Sequence, residues 1–467
     1  MKLAQLIKKK AVVLGYGREG QATHRLLSQH KDMAALPVWV ESDGSVGDGA
    51  SGLGESLICR AFDQGLMEFD VAIRSPGIPV DHHALSAFRQ AGGEVLNPSS
   101  IFFSERPNAT VIGVTGSKGK STTSSLLAHL INHSEQTAVL AGNIGRPLVG
   151  LLDATATSSD ERSADVVVAE LSSYQLCDLD GHLSLSLITR LFPEHIDWHG
   201  SVAAYYAAKM RMFELTRDQK VLVNARDPIL MSEVNERPSA ISVNPWPDEA
   251  AGALHRSDQS LVVDDEIVLR SSEWALAGRH NLDNAVMALG ALAHLGLDAK
   301  QLAPSLAHFT GLPHRLQGID GPQAIRWIND SIATTPHATK AALESLEGQA
   351  IVLLVGGHER GGDWSVVIDH LKRWPLAGLV ALPDNGARII EALSAQGVLE
   401  HCPVSQADDM MQAIHHAQQM ALSIKSQSDR SVTVLLSPGA PSFGHYQNFE
   451  HRGEAFVRGI GLLDSSD

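Results

Sequence analysis

Cysteine is scarce: Cys59, Cys177 and Cys402 stand far apart in a chain of 467 residues. Their separations match no metal-binding pattern, and so few thiols exclude a disulfide-stapled scaffold; they read as reduced cysteines in a reducing compartment. Long apolar runs are lacking as well. No stretch approaches the ~18 apolar residues of a membrane span. The basic start, MKLAQLIKKK, leads only to the short run Ala11–Leu14 before glycines intervene, which is too brief for a secretory signal. Positive charge is in deficit, with a net charge of −16, and an acidic surface disfavours nucleic acid. These absences leave a soluble chain, read as cytoplasmic, with neither a nucleic-acid nor a membrane partner.

The remaining material is that of a globular protein. Apolar residues are 44% and charged residues 19%, enough to build several cores and too apolar for extended disorder. Short β-branched runs alternate with helical patterns, the signature of parallel sheets covered by helices. Three strand-to-glycine openings stand out. Ala11–Leu14 runs into Gly15-Tyr16-Gly17-Arg18-Glu19-Gly20, Thr110–Val114 into Thr115-Gly116-Ser117-Lys118-Gly119-Lys120-Ser121, and Ile351–Val355 into Gly356-Gly357-His358. Turn formers in NPSSIFFSERPN separate the first two openings. FTGLPHRLQ precedes a new strand at Ala324–Ile328 and is the hinge candidate. The expected fold class is α/β in three domains: a Rossmann-like N-terminal domain over 1–105, a P-loop-type central ATPase domain over 106–314 and a Rossmann-like C-terminal domain over 315–467. Leu261–Leu269 suggests peripheral hairpins.

VIGVTGSKGKSTTSSLLAHLI is the most informative segment. An apolar strand meets a glycine-rich turn, and Ser121 begins a helix. Inward-pointing amides, the helix dipole and the Lys120 ammonium suit a triphosphate. Thr115, Gly116, Ser117, Lys118, Gly119, Lys120, Ser121 and Thr122 are therefore expected to hold ATP. A hydroxyl on Ser121 or Thr122 would serve Mg²⁺. The strict G-x-x-x-x-G-K-[ST] spacing is not met, since its first glycine would fall at Val114. The bland competitor is a glycine turn with a solvated lysine, but strand, turn, GKST and helix fall in register.

GYGREG is weaker. Glu41 and Asp43 lie at the distance where a dinucleotide fold places its acidic residue, so NAD binding stays open on this segment. The same turn would hold any pyrophosphate, including that of a UDP-sugar. Further on, Glu170 ends the apolar strand of VVVAELSSYQL, His195 follows another in ITRLFPEHIDWHG, and Lys209 lies in the helical YYAAKMRMFE. Glu and His suit Mg²⁺ or Mn²⁺. Taken singly, His195 reads more readily as a satisfied or surface histidine, and Lys209 as a snorkelling helix lysine.

Together, TGSKGKST, GNIGRPL, ELSSYQL, EHIDWHG, AAKMRMFE, GRHNLDNAVMAL, GLPHRLQ, WINDS and LLSPGAPSFGHYQNFEHRG occur in the order seen in Mur ligases, so the chain resembles that family over essentially its whole length, and its glutamate-adding branch in particular. The resemblance implies an ATP-dependent ligase of peptidoglycan precursor synthesis with a two-step reaction: a UDP-N-acetylmuramoyl-L-alanine carboxylate is phosphorylated by ATP, and glutamate's amine displaces phosphate. It implies that Lys120, His195 and Lys209 are catalytic; that Ser121, Glu170, His195 and a carbamylated Lys209 reach metal; and that Asn281, Asn284, Arg315 and Asp330 contact ATP. Gly15, Gly17, Arg18, Ser75, Asn143 and Ser172 fall on its substrate-binding motifs. Thr334, Arg360, Ser442, Phe443 and Phe449 fall on its glutamate pocket. The 1–105 domain would take the UDP group, 106–314 ATP and 315–467 glutamate, in a monomer.

The chain departs from the common D-glutamate pattern. Where that pattern has a lysine after Asp-Ser, this sequence reads Asp330-Ser331-Ile332-Ala333-Thr334-Thr335-Pro336, and Arg360 follows the Gly356-Gly357 loop. Inverting the α-carbon moves one carboxylate, so a pocket for the other enantiomer should move its cations. The DSIATTP and SPGAPSF segments resemble the L-glutamate-adding branch, which implies a partner epimerase. D-glutamate remains the alternative, with a nucleotide-dependent oxidoreductase, a folylpolyglutamate synthase and a non-catalytic nucleotide-binding regulator further off.

Overall fold

The computed structural model describes residues 1–33, 35–41, 56–155, 158–235, 237, 240–243, 254–257, 259–274, 276, 279–309, 311–359, 361–427, 431–442, 444–446 and 448–463. It forms two compact units, Met1–Phe309 and Thr310–Asp467.

The first unit is built on two parallel sheets. The N-terminal sheet has the spatial order Leu57–Cys59, Val38–Val40, Ala11–Leu14, Val71–Arg74, Glu94–Leu96. Ala11–Leu14 is buried throughout because helices cover both faces of the sheet, which is why it reads as a continuous apolar run. Val13 and Ile73 pack on one face with Leu26 and Leu27, whereas Val12, Leu14 and Trp39 pack on the other with Phe62 and Phe88. Helix Arg18–Ser28 follows the glycine turn so closely that a Cβ on Gly20 would lie 2.2 Å from Gly15 O.

The second sheet has six parallel strands, ordered Ala240–Val243, Val221–Asn224, Leu185–Ile188, Thr110–Thr115, Val166–Glu170, Ala138–Gly142. Thr110–Thr115 runs near its centre. Helices Lys120–Asn132 and Arg279–Leu292 cover one face through Leu126, Leu127, Val286 and Leu289. Two hairpins, joining His255–Arg256, Ser260–Val263 and Glu266–Arg270, lie where the alternating pattern suggested. The two parallel sheets meet through specific contacts. Arg74 pairs with Asp178 at 2.6 Å, and Asn97 Nδ2 donates to Gln175 O at 2.9 Å.

The second unit has one six-stranded sheet, ordered Gln317–Ile319, Arg326–Asn329, Val432–Leu436, Ala350–Gly357, Gly378–Asp384, Val404–Gln406. Only the first pair is antiparallel. The strand expected over Ala324–Ile328 is found at Arg326–Asn329. Gln323 and Ala324 take positive φ of 63° and 51° and turn the chain into it, so they cannot extend it.

Candidate active site

The phosphate loop is shaped by close approaches that only glycine allows. Gly116 has φ +145°, and a Cβ there would meet Thr189 Oγ1 at 2.1 Å. Gly119, at φ +88°, caps helix Lys120–Asn132, and its missing Cβ makes room for Asn284 Oδ1. Asn284 in turn accepts from Thr123 at 3.4 Å and donates to Asn281 at 3.3 Å, which places both asparagines of helix Arg279–Leu292 at this loop. Lys120 Nζ donates to Ser117 O at 2.9 Å. The exposed Lys118 pairs with Glu194 at 2.5 Å. Ser121 is buried and Thr122 half-buried in the first helical turn.

Ser117 anchors the loop from below. Its hydroxyl donates to Phe192 O at 2.8 Å and accepts from Phe192 N at 2.9 Å. With that single proton committed, the Tyr205 phenol must be the donor in the 2.8 Å contact between Tyr205 and Ser117. Tyr205 lies four residues before Lys209, on the same face of helix Val202–Met210.

Lys209 is 1% exposed. Its Nζ donates to Gly116 O at 2.7 Å, touches Thr115 Oγ1 at 3.5 Å and stands 4.8 Å from the Tyr205 ring centre. No carboxylate among the described residues comes within ion-pair distance of it. Burial, reinforced by the Lys120 charge, holds its pKa well below the ordinary lysine value. Glu170 is buried at the end of its strand. Asn143 Nδ2 donates to its Oε1 at 2.7 Å, but its Oε2 is buried without a partner. His195 has left-handed backbone, φ 56° and ψ 35°, and begins a short helix. Burial lowers its pKa, with Lys120 and Lys209 acting in the same direction and Glu194 against them. The imidazole is therefore neutral at pH 7 and has a lone pair to give. Lys120, Glu170, His195 and Lys209 thus gather around one loop.

The GYGREG turn borders this site. Ser75 Oγ donates to Gly15 O at 3.1 Å, and Arg18 donates to Asn143 O at 3.3 Å and also to Gly145 O. Gly17 has open space beside its Cα. Ser172 caps helix Ser173–Leu176 and donates to Gln175 Oε1 at 2.8 Å. Three further residues were not singled out from sequence. Gln175 Nε2 donates to Glu19 Oε1 at 2.5 Å. Burial raises the Glu19 pKa to about 7, and its Oε2 has no partner. Arg74, fully buried, braces the Ser75–Ile78 turn by donating to Ser75 O and Pro76 O at 3.2 and 3.1 Å. The Ser172-x-x-Gln175 spacing does signal a capping box, and Tyr205 is the i−4 neighbour of Lys209, but nothing local marks Glu19 or Arg74 as buried. Glu41, which a dinucleotide reading needs for ribose, is occupied: Phe62 N donates to its Oε1 at 3.2 Å, and His82 lies 3.1 Å from its Oε2.

In the second unit, Asp330 is buried and accepts from Ser437 Oγ at 2.8 Å and Leu316 N at 3.1 Å. Burial raises its pKa to about 6, with Arg315 opposing. Ser442 is buried, Thr334 and Phe449 are half-buried, and Ser331 Oγ donates to Phe449 O at 2.8 Å. Arg360, Phe443 and Asp43 lie outside the described residues.

A metal would find donors in the first unit: the unpartnered Glu170 oxygen, the neutral His195 ring and the Ser121 hydroxyl. Among the described residues no group of three or more His, Cys, Asp or Glu side chains forms a protein cage. That suits Mg²⁺, which keeps waters and phosphate oxygens as ligands.

A glycine-rich loop at the carboxyl end of a parallel sheet, with a buried lysine beneath it, defines a nucleotide-using α/β enzyme. Residues 114–292 match the Mur ligase middle domain, and residues 314–436 match the Mur ligase glutamate ligase domain. A UDP-N-acetylmuramoyl-L-alanine–L-glutamate ligase of Micromonospora sp. is 35% identical across 98% of both chains. A protein of the same name from Xanthomonas axonopodis pv. citri is 34% identical over 99% of this chain and 97% of its own. Solved structures agree in fold. MurC from Thermotoga maritima gives a TM-score of 0.55 at 17% identity, covering 98% of this chain and all of its own. MurF from Acinetobacter baumannii gives 0.58 at 17% identity, covering 84% and 91%. The chain belongs to the Mur ligase family, whose members are ATP-dependent ligases.

Proposed function

We propose that this enzyme joins L-glutamate to UDP-N-acetylmuramoyl-L-alanine at the expense of ATP, in the cytoplasm, as a step of peptidoglycan precursor synthesis. Full-length similarity to relatives bearing that activity in their names carries the substrate assignment. It does not favour the D-glutamate alternative. Against the oxidoreductase alternative, Glu41, one of its two candidate ribose contacts, is engaged by Phe62 N and His82. The three larger sheets, one in each range, support a division into 1–105 for the UDP group, 106–314 for ATP and 315–467 for glutamate.

The phosphate loop over Thr115–Thr122 would hold the ATP tail, with Asn281 and Asn284 behind it. The substrate carboxylate attacks the γ-phosphorus, the bond to the β-phosphate oxygen breaks, and ADP leaves. Lys120 offsets the negative charge that spreads over the transferring phosphoryl group. The glutamate amine then attacks the acyl carbon, loses its proton, and phosphate departs. Glu170, His195 and Ser121 would hold Mg²⁺, which supplies charge neutralisation at the phosphates. Lys209, its pKa lowered by burial and with no carboxylate among the described residues within ion-pair distance, is suited to react with CO₂ as an amine, releasing a proton and leaving a carbamate that would extend toward the same metal. Arg18, Ser75 and Asn143 line the approach for the UDP-sugar. Arg315 and Asp330 are assigned to ATP, and Thr334, Arg360, Ser442, Phe443 and Phe449 to glutamate. A monomer is proposed. An L-glutamyl product would also require a separate epimerase wherever D-glutamate is wanted downstream.

Incubation with ATP, Mg²⁺ and UDP-N-acetylmuramoyl-L-alanine, offering each glutamate enantiomer separately, tests the reading. The adduct mass is expected with L-glutamate; product with D-glutamate alone would refute the assignment.

A further inference from the structure

Arg452, in helix Phe449–Leu463 of the second unit, is 1% exposed and forms no ion pair with any described residue. Among the described residues, its guanidinium is satisfied by neutral groups only. Nε donates to Ser331 Oγ at 3.0 Å, Nη2 to Ser331 O at 2.8 Å and Nη1 to Ala440 O at 2.9 Å. Among the described residues, the one ionisable group that bears on it is the Tyr446 phenol. Of the nearby carboxylates, Asp330 accepts from Ser437 and Leu316, Glu454 pairs with Arg458 at 3.6 Å, and Glu450, one oxygen of which is buried without a hydrogen-bond partner, forms no ion pair with Arg452. The charge also sits in the first turn of a helix, where the dipole opposes a cation. A buried charge with no counterion is costly and is ordinarily removed or paired.

Its position gives that cost a use. Ser331, Gly357 and Ala440 follow or end three adjacent parallel strands, Arg326–Asn329, Ala350–Gly357 and Val432–Leu436. A Cβ on Gly357 would come within 3.0 Å of Arg452 Nη1. Crevices at the carboxyl ends of such strands are where open α/β sheets bind ligands. Arg452 therefore holds a fixed positive charge against the loops that carry Thr334 and Ser442, in the helix that Phe449 begins.

We propose that Arg452 is a specificity-determining residue for the amino-acid substrate: its unneutralised charge against these loops selects a dicarboxylic amino acid over its neutral amide. This rests on the assignment of the loops to glutamate. The test compares kcat/KM for L-glutamate and L-glutamine in the full-length enzyme. Arg452→Met is expected to raise KM for glutamate and lower the glutamate-to-glutamine preference by roughly tenfold or more, with KM for ATP and the muramoyl nucleotide unchanged within about twofold. Arg452→Lys, which keeps the charge but not the fork, should retain the preference. Tyr446→Glu neutralises the charge without removing the arginine and should lower the preference as Arg452→Met does, whereas Tyr446→Gln should not; this pair decides the matter if Arg452→Met fails to fold. A wild-type preference in Arg452→Met or Tyr446→Glu, or an equal loss in Arg452→Lys and Arg452→Met, would overturn the proposal. Wild-type enzyme that uses no glutamate at all would instead overturn the substrate assignment.

Discussion

Lys120 and Lys209 are both lysines beside one loop, but their surroundings give them different work. Lys120 reaches Ser117 O from the helix start, where a phosphate would take over that contact. Lys120→Ala should lose at least ~10³-fold in kcat while keeping its fold, measured as ADP release beside circular dichroism. Lys209 is sealed under the loop, bonded to Gly116 O, with no carboxylate among the described residues within ion-pair distance. Lys209→Ala should be nearly inactive and partly restored by short-chain carboxylic acids; activity close to wild type would remove the carbamate. Glu19 offers a separate test in stability. Its folded pKa of about 7 lies above the ordinary 4.5, so the fold binds this proton more tightly than the unfolded chain does. The resulting stabilisation is complete below the ordinary value and is lost as pH rises through about 7. Relative to Glu19→Gln, wild type should lose up to about 3 kcal/mol between roughly pH 4.5 and pH 7, read by denaturant titration; parallel pH curves would contradict this.

At the scale of elements, both glycine turns depend on atoms that are not there. A Cβ at position 20 would strike the Gly15 carbonyl, whose turn is already braced by Ser75 and, through the adjoining loop, by Arg74. Gly20→Ala should cost roughly 1–3 kcal/mol in stability and raise KM for the muramoyl nucleotide more than KM for ATP. Such turns were legible in sequence because an apolar strand, glycines and a helix start are all local signals. The strands expected at Ala11–Leu14 and Thr110–Val114 and the helix expected from Ser121 followed from them; the second strand runs on to Thr115 and the helix starts at Lys120. The Glu19–Gln175 and Arg74–Asp178 contacts join residues 156 and 104 positions apart, and no periodicity encodes such pairings. For the same reason Arg452 passes in sequence for an ordinary charged helix residue, since its burial is decided by loops from three distant strands.

At the scale of the whole molecule, the same strand-and-glycine device recurs in each of the three larger sheets, and chemistry distinguishes the copies. The first turn carries Arg18 toward Asn143; the second carries Lys120 over Lys209; the loops of the second unit close over Arg452. The central claim is that the second turn drives phosphorylation of a carboxylate. It is tested most directly by labelling the alanyl carboxylate of UDP-N-acetylmuramoyl-L-alanine with ¹⁸O and analysing the phosphate released during turnover with ATP and L-glutamate. One labelled oxygen is expected in inorganic phosphate. Unlabelled phosphate, or label recovered in AMP, would contradict carboxylate attack on the γ-phosphoryl group.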